Sequence, residues 1–116
     1  MGGYDSTKNI FEVTDCRGYF ISCSEQNWYG KILGSRPFME SWLPIVKKAI
    51  QEPHFICEDS IRKDRNVYYL FHQFENDKYI KIVVRFNSNN KGIVISAFPT
   101  DHGKQGETII WTRSNN

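Results

Sequence analysis

The sequence predicts an α+β domain in which an N-terminal hairpin and helices pack on one face of a four- to five-stranded antiparallel sheet. Between residues 38 and 50, apolar side chains recur every three or four residues, as they do on one side of a helix. After Pro53, apolar and polar residues alternate, as they do on strands. Because helices fall in the first half and strands in the second, the pattern is typical of α+β layer packing.

The N-terminal part begins with a predicted hairpin. Strands at residues 10–13 and 19–21 flank a turn that contains Gly18. Ser24 is a suitable N-cap for a helix that ends at Gly34, a residue that favours the left-handed conformation at a helix end. We expect residues 1–9 to be irregular, residues 10–113 to form the domain, and residues 114–116 to be a tail.

A second helix is predicted to begin at Ser35 and Pro37 and to stop before Pro53. Its apolar stripe is expected to lie in the core. Pro44 falls inside this stripe, where it removes a backbone donor and clashes with the preceding turn. We therefore expect a kink or break near Trp42, unless the helix begins nearer Pro44.

The second half predicts a meander of five strands, at residues 54–57, 67–74, 79–86, 92–98 and 108–111, separated by short polar turns. One face of this sheet must pack against the helices. The other is a candidate ligand surface carrying Lys81, Arg85, His72 and Ser96. The simpler alternative is that Lys81 and Arg85 only solvate the polar face of the sheet.

Composition sets broad limits on the type of protein. The length of 116 residues is that of one domain, and 15 basic against 13 acidic residues is too balanced to indicate a nucleic-acid partner by itself. The three cysteines lack C-x-x-C spacing, which predicts a reducing compartment and buried thiols. No apolar run approaches the roughly 20 residues of a membrane span, so we expect no membrane association.

The sequence contains none of the common motifs for metal, nucleotide or serine-hydrolase sites, so no metal and no cofactor is predicted. His102 follows a predicted strand, in a loop where an imidazole can transfer a proton near neutral pH. An ordinary surface histidine is the alternative. A distributed set of polar residues remains: Lys31, Arg36, Lys81, Arg85, Ser96, Thr100, His102 and Lys104.

Such a set could support RNA cleavage without a metal. That reaction requires deprotonation of a 2′-hydroxyl, stabilisation of a pentavalent phosphate and protonation of the leaving 5′-oxygen. Arginine and lysine can stabilise the phosphate. The same groups can also bind phosphates without cleaving them, so the residue types alone leave both possibilities open.

The order of several short segments resembles a phage-associated nuclease family of the barnase, EndoU, colicin D and RelE-like superfamily of ribonucleases. The segments are VTDCRGYFIS at residues 13–22, WYGKIL at 28–33, RPFM at 36–39, VKKAIQEP at 46–53, YIKIVVR at 79–85, GIVISAF at 92–98 and IIW at 109–111. Where the family usually has two histidines, this chain has Lys31 and Arg36. Ser96 stands where a threonine is usual.

The resemblance implies metal-independent cleavage of RNA, often a tRNA, to a 2′,3′-cyclic phosphate. Lys31 and Arg36 would serve as base or phosphate ligands, Arg85 would stabilise the transition state, Ser96 would position the phosphate, and His102 would be the acid. Further RNA contacts are expected from the side chains of Lys81, Thr100, Lys104 and His72.

The alternative is a catalytically inactive relative that binds RNA or a protein partner through the same face. The resemblance also implies a cognate antitoxin or immunity protein as a partner, and a cytoplasmic site of action, with the domain either alone or delivered as the C-terminal part of a larger toxin. The oligomeric state does not follow from the sequence.

Overall fold

The computed structural model describes Asp5 and residues 7–114, and within them seven strands form one sheet. The strands are β1 (Asn9–Thr14), β2 (Phe20–Ser24), β3 (Phe55–Glu58), β4 (Arg65–Phe74), β5 (Asp77–Phe86), β6 (Gly92–Thr100) and β7 (Thr108–Thr112). Their order across the sheet is β1-β2-β6-β5-β4-β3-β7. The α+β class is confirmed, but the sheet is larger than the predicted four or five strands and is mixed.

The parallel pair in this sheet joins the N-terminal hairpin to the meander. The predicted hairpin is confirmed as the antiparallel pair β1–β2, and β2 then pairs in parallel with the start of β6, through Ile21 with Gly92 and Ser22 with Ile93. A Cβ atom at Gly92 would lie 2.6 Å from side-chain atoms of both Ile21 and Val84. Glycine therefore permits the close packing that adds the hairpin to the sheet.

The predicted meander is confirmed from β3 to β6, whereas the last strand departs from it. β7 pairs antiparallel with β3 at the far edge and has no pairing with β6. The connection at residues 101–107 therefore runs from β6 past β5, β4 and β3 to the edge of the sheet. It packs closely at Gly106, whose φ is +90° and where a Cβ atom would lie 2.8 Å from the Cβ of Ser60. This crossover could not be inferred from strand spacing.

The helical part consists of a π-helix (Gln26–Ile32), a short α-helical turn (Leu33–Ser35), a 3₁₀-helix (Pro37–Trp42) and an α-helix (Leu43–Gln51). The Ser24 hydroxyl accepts a hydrogen bond from the Asn27 amide at 3.0 Å, which confirms the predicted capping contact. The break expected near Trp42 is also confirmed. Pro44 lies in the first turn of the α-helix, where a backbone N–H has no hydrogen-bond acceptor within the helix, so proline is tolerated there.

The helices cover one face of the sheet. Trp28, Met39, Val46 and Ile50 are buried there against side chains from the even-numbered positions of β4 and β5, such as Ile82. The other surface, here called the open face, carries the odd-numbered residues of those strands. Its own small cluster contains the buried side chains of Cys57, Val67 and Tyr69, with Phe55, Tyr79 and Val83 packed beside them.

Three further predictions concern the cysteines and the chain ends. Cys23 and Cys57 are buried as expected, but Cys16 is exposed because it lies in the β1–β2 turn. The predicted irregular N-terminus, residues 1–9, lies partly outside the described residues, and Asn9 already belongs to β1. Of the predicted tail, only Ser114 is described. Within the described part of the chain, no helix has the length and apolar character needed to cross a membrane.

Candidate functional site

A row of paired residues crosses the middle of the open face. Phe98 of β6 pairs with Lys81 of β5, Lys81 pairs with Tyr69 of β4, and Tyr69 pairs with Phe55 of β3. Because directly paired residues of a sheet project to the same side, their side chains are neighbours. The Lys81 ammonium lies 5.7 Å from the Tyr69 ring centre and 5.6 Å from the Phe98 ring centre.

Glu107, from the crossover connection, completes this row. Its Oε1 accepts a hydrogen bond from the Tyr69 hydroxyl at 2.5 Å, and its Oε2 pairs with Lys81 Nζ at 3.1 Å. The side chains of Lys81 and Glu107 are only 10% and 4% exposed. Burial, and then the hydrogen bond to Glu107, raise the pKa of Tyr69 far above its usual range, so this hydroxyl stays a donor. In this arrangement the charge of Lys81 is compensated within the protein.

Arg36 reaches the same row from the helical side of the molecule. β2 pairs with only the first two residues of β6, which leaves the rest of that strand's edge to the helical segment. Asn27 Nδ2 donates to the Val94 carbonyl at 3.0 Å along this edge. The Arg36 guanidinium lies 4.9 Å from the Phe98 ring centre. Arg36 is exposed and has no ion pair within the described residues, so its donors are available to a ligand.

Arg85 and Ser96 also lie on the open face. Arg85 is exposed and pairs with Ile93. Ser96 is half-buried and pairs with Val83, which lies two residues before Arg85 on β5. Neither side chain makes a hydrogen bond or ion pair with another part of the chain that the structure describes. The structure therefore brings Arg36, Arg85 and Ser96 to one surface.

Aromatic rings form the end of the open face nearest the β4–β5 turn. His54 stacks on Phe71 with ring centres 3.9 Å apart, and Tyr79 contacts Phe71 edge-on at 5.3 Å. Phe71 is nevertheless 56% exposed. A shallow cavity of about 300 Å³ is lined by Phe71, Tyr79, Gln73 and Lys78. It offers a flat apolar surface beside a cation.

Three further predicted residues lie at the end of β6 or in the crossover connection that follows it. The hydroxyl of Thr100 donates to the His102 carbonyl at 2.9 Å, and the His102 imidazole pairs with Asp101. The backbone amide of Lys104 donates to Glu107 at 3.3 Å. His102 and Lys104 are exposed. These contacts tie the position of His102 to the same connection that carries Glu107.

Two predicted residues lie elsewhere. His72 is on the helical face of the sheet, where its ring meets Trp42 edge-on at 4.7 Å. Lys31 is exposed on the π-helix and makes no contact with the open face among the described residues. The prediction of His72 on the ligand surface is wrong, because His72 shares the even-numbered positions of Tyr68 and Leu70 on β4, whose side chains face the helices.

A second polar cluster lies on the helical face and is self-contained. The Asp15 carboxylate accepts hydrogen bonds from the Tyr68 hydroxyl at 2.6 Å and from Arg17 Nη2 at 3.1 Å. Arg17 Nη2 also donates to Asn66 at 2.9 Å. Burial, followed by the bond to Asp15, raises the pKa of Tyr68. Because these groups bond to one another, the cluster holds the β1–β2 turn against β4.

Sequence reasoning missed four open-face residues. They are Glu107, Tyr69, Phe98 and Arg65. Strand alternation indicated three of them. Tyr69 and Arg65 occupy positions on β4 that face the same side of the sheet as Lys81 and Arg85 on β5. Phe98 lies two residues after Ser96 and so faces the same side as Ser96. Glu107 had no comparable signal, because its position depends on the crossover connection.

Within the described residues, no three His, Cys, Asp or Glu side chains converge as metal ligands would. Comparisons of the chain with protein-family models, with curated proteins and with solved structures give no match. The geometry of the open face therefore carries the functional argument.

Proposed function

We propose that this domain is a metal-independent endoribonuclease that binds a single-stranded segment of RNA, tRNA being the first candidate, on the open face of its sheet. The observation that carries the proposal is the combination of accessible rings with unpaired arginines on one surface. Phe71 offers an exposed ring and Phe98 a half-buried one, and Arg36 and Arg85 offer guanidinium groups without an ion pair among the described residues. Single-stranded nucleic acids are bound by stacking of bases on aromatic rings combined with cationic contacts to the backbone.

The cleavage step would proceed by attack of the ribose 2′-oxygen on the adjacent phosphorus. A base takes the 2′-hydroxyl proton, the new P–O bond forms, and the bond to the 5′-oxygen breaks as an acid supplies its proton. The products are a 2′,3′-cyclic phosphate and a 5′-hydroxyl. Arg36 and Arg85 would stabilise the additional negative charge, Ser96 would orient the phosphate, and His102 would be the acid. Lys31 stays a candidate base only if the RNA extends around the β6 edge.

A second candidate function is RNA binding without cleavage. It is favoured by the specific observation that the Lys81 ammonium, a group suited to proton transfer, is already engaged by the buried Glu107 carboxylate. Both functions are consistent with a cytoplasmic site of action and with a protein inhibitor that covers the open face. An inhibitor of that kind would be expected to present acidic groups to Arg36 and Arg85.

One experiment separates these functions. Total tRNA and an unstructured RNA oligonucleotide are incubated with the protein in EDTA, alongside Lys31→Ala, Arg85→Ala and the control Arg62→Ala, which removes an exposed arginine in the β3–β4 connection. Cleavage to a cyclic phosphate, slowed at least about tenfold by Arg85→Ala but not by the control, supports the nuclease. Salt-sensitive binding with intact RNA supports the second function. Neither binding nor cleavage would refute both.

A further inference from the structure

Two arginines face each other on the open face, where β4 begins and β5 ends. Arg65 and Arg85 are direct partners in the antiparallel pairing of these strands. Arg65 lies two residues before Val67, and Arg85 lies two residues after Val83. Both arginines therefore face the same side of the sheet as these valines, whose side chains lie in the open-face cluster. Side chains of directly opposed residues start about 5 Å apart, so the two guanidinium groups can reach one small ligand together.

This pairing is unfavourable in the protein alone. Like charges directly opposite one another on a sheet destabilise it. Neither arginine has an ion pair within 4.0 Å among the described residues, and Arg65 Nε is buried without any hydrogen-bond acceptor. The nearby carboxylate of Asp59 accepts hydrogen bonds at its Oδ2 from the backbone amides of Arg62 at 2.9 Å and Ile61 at 3.1 Å, and its charge attracts Arg65 without an ion pair within 4.0 Å.

A bound anion would offset the repulsion between the two arginines and would supply the hydrogen-bond acceptor that Arg65 Nε lacks. A buried donor without an acceptor is rare in folded proteins and calls for an explanation such as a bound ion. Guanidinium groups match phosphate oxygens in a two-pronged geometry that lysine cannot provide. Arg65 Nε, already desolvated, would gain a charged acceptor, and the added negative charge would remove the repulsion between the two strands.

We propose that Arg65 and Arg85 form a phosphate clamp, in which one phosphate group bridges the two side chains. The clamp itself rests on the geometry of the arginine pair. Its natural ligand, a phosphodiester of RNA, rests on the proposed function. In that setting Arg85 contacts the same phosphate as Arg65, and Arg65 is a binding residue for the RNA backbone.

The first test uses inorganic phosphate as the probe. The guanidinium Nε–Hε signals of the full chain are followed by NMR while phosphate replaces chloride at constant ionic strength. We expect saturable shifts of the Arg65 and Arg85 signals, with the signal of exposed Arg62 unchanged. Arg85→Gln should abolish the shift of Arg65. Unmoved Arg65 and Arg85 signals, or equal shifts at Arg62, would overturn the clamp.

The same variant tests the repulsion. Because Arg85 is exposed, Arg85→Gln should fold, and in chloride it should melt at a higher temperature than the wild type. The wild type should gain stability when phosphate is added, and the variant should not. A variant that is destabilised in chloride and still responds to phosphate would contradict the clamp.

The RNA measurement distinguishes the clamp from the proposed function. With an unstructured oligonucleotide, Arg65→Lys and Arg85→Gln should each weaken binding about tenfold, and Arg85→Gln should reduce the slope of log affinity against log salt by about 0.7. RNA binding that is unaffected by both variants would overturn the assigned RNA contact. Phosphate binding without any RNA binding would leave the clamp in place and refute the proposed function.

Discussion

The ion pair between Lys81 and Glu107 gives the sharpest test of the open-face geometry. Glu107→Gln keeps the size of the side chain and an acceptor for the Tyr69 hydroxyl, but it removes the negative charge. The Lys81 ammonium, with a side chain only 10% exposed, would then be left without a counter-charge. Lys81→Met makes the reciprocal change and leaves the Glu107 carboxylate without a counter-charge.

The expected loss of stability is large. At the observed separation of 3.1 Å, and with an effective dielectric constant of about 20, the attraction between the two charges is about 5 kcal/mol. Removal of one partner from a buried pair costs about 3–5 kcal/mol. A chain of this length has a total unfolding free energy of roughly 6–17 kcal/mol. Each single variant should therefore melt roughly 10–20 °C below the wild type.

The assay is urea unfolding of the wild type, the two single variants and the double variant. Since the double variant leaves no stranded charge, its loss should be smaller than the sum of the single losses by at least about 2 kcal/mol. Glu58→Gln is a suitable control, because the side chains of its pair with Lys63 are 36% and 70% exposed and exposed pairs contribute little. Single losses below about 1 kcal/mol with additive behaviour would refute the buried pair.

Three further predictions follow from the described contacts. Phe71→Ala should weaken binding of single-stranded RNA about 5- to 100-fold through loss of a stacking surface, whereas Phe20→Ala, an exposed ring on β2, should not; equal effects in a filter-binding assay would contradict the stacking role. Cys16 should react with a maleimide in the folded protein, whereas Cys23, whose pKa is raised by burial to about 12, should react only on unfolding, as mass spectrometry can show. Burial and then nearby cations lower the pKa of His54, so the unfolded state binds more protons below about pH 6.5. Stability should consequently fall on acidification through that pH, and His54→Gln should flatten this part of the profile; an unchanged profile would contradict the shift.

Local patterns in the chain predicted much of the fold. The alternation after Pro53 located the meander strands, and the capping contact of Ser24 and the break near Trp42 follow from side-chain and proline chemistry. These features depend on neighbours close in sequence. The parallel pairing of β2 with β6 and the placement of β7 beside β3 depend on contacts between distant segments, which periodicity does not encode.

The same division applies to the candidate site. Alternation along β5 by itself determined that Lys81 and Arg85 share a face, since side chains of a strand point alternately to its two sides. Ser96 joins them through its pairing with Val83 across β5 and β6. Only the tertiary structure decided which of these groups is accessible. The crossover connection brings Glu107 onto Lys81 and compensates its charge, whereas the pairing of β4 with β5 places Arg65 opposite Arg85, and neither arginine has an ion pair within 4.0 Å in the described part of the chain. Charge compensation depends on distances between residues far apart in the chain, and those distances exist only once the sheet is assembled.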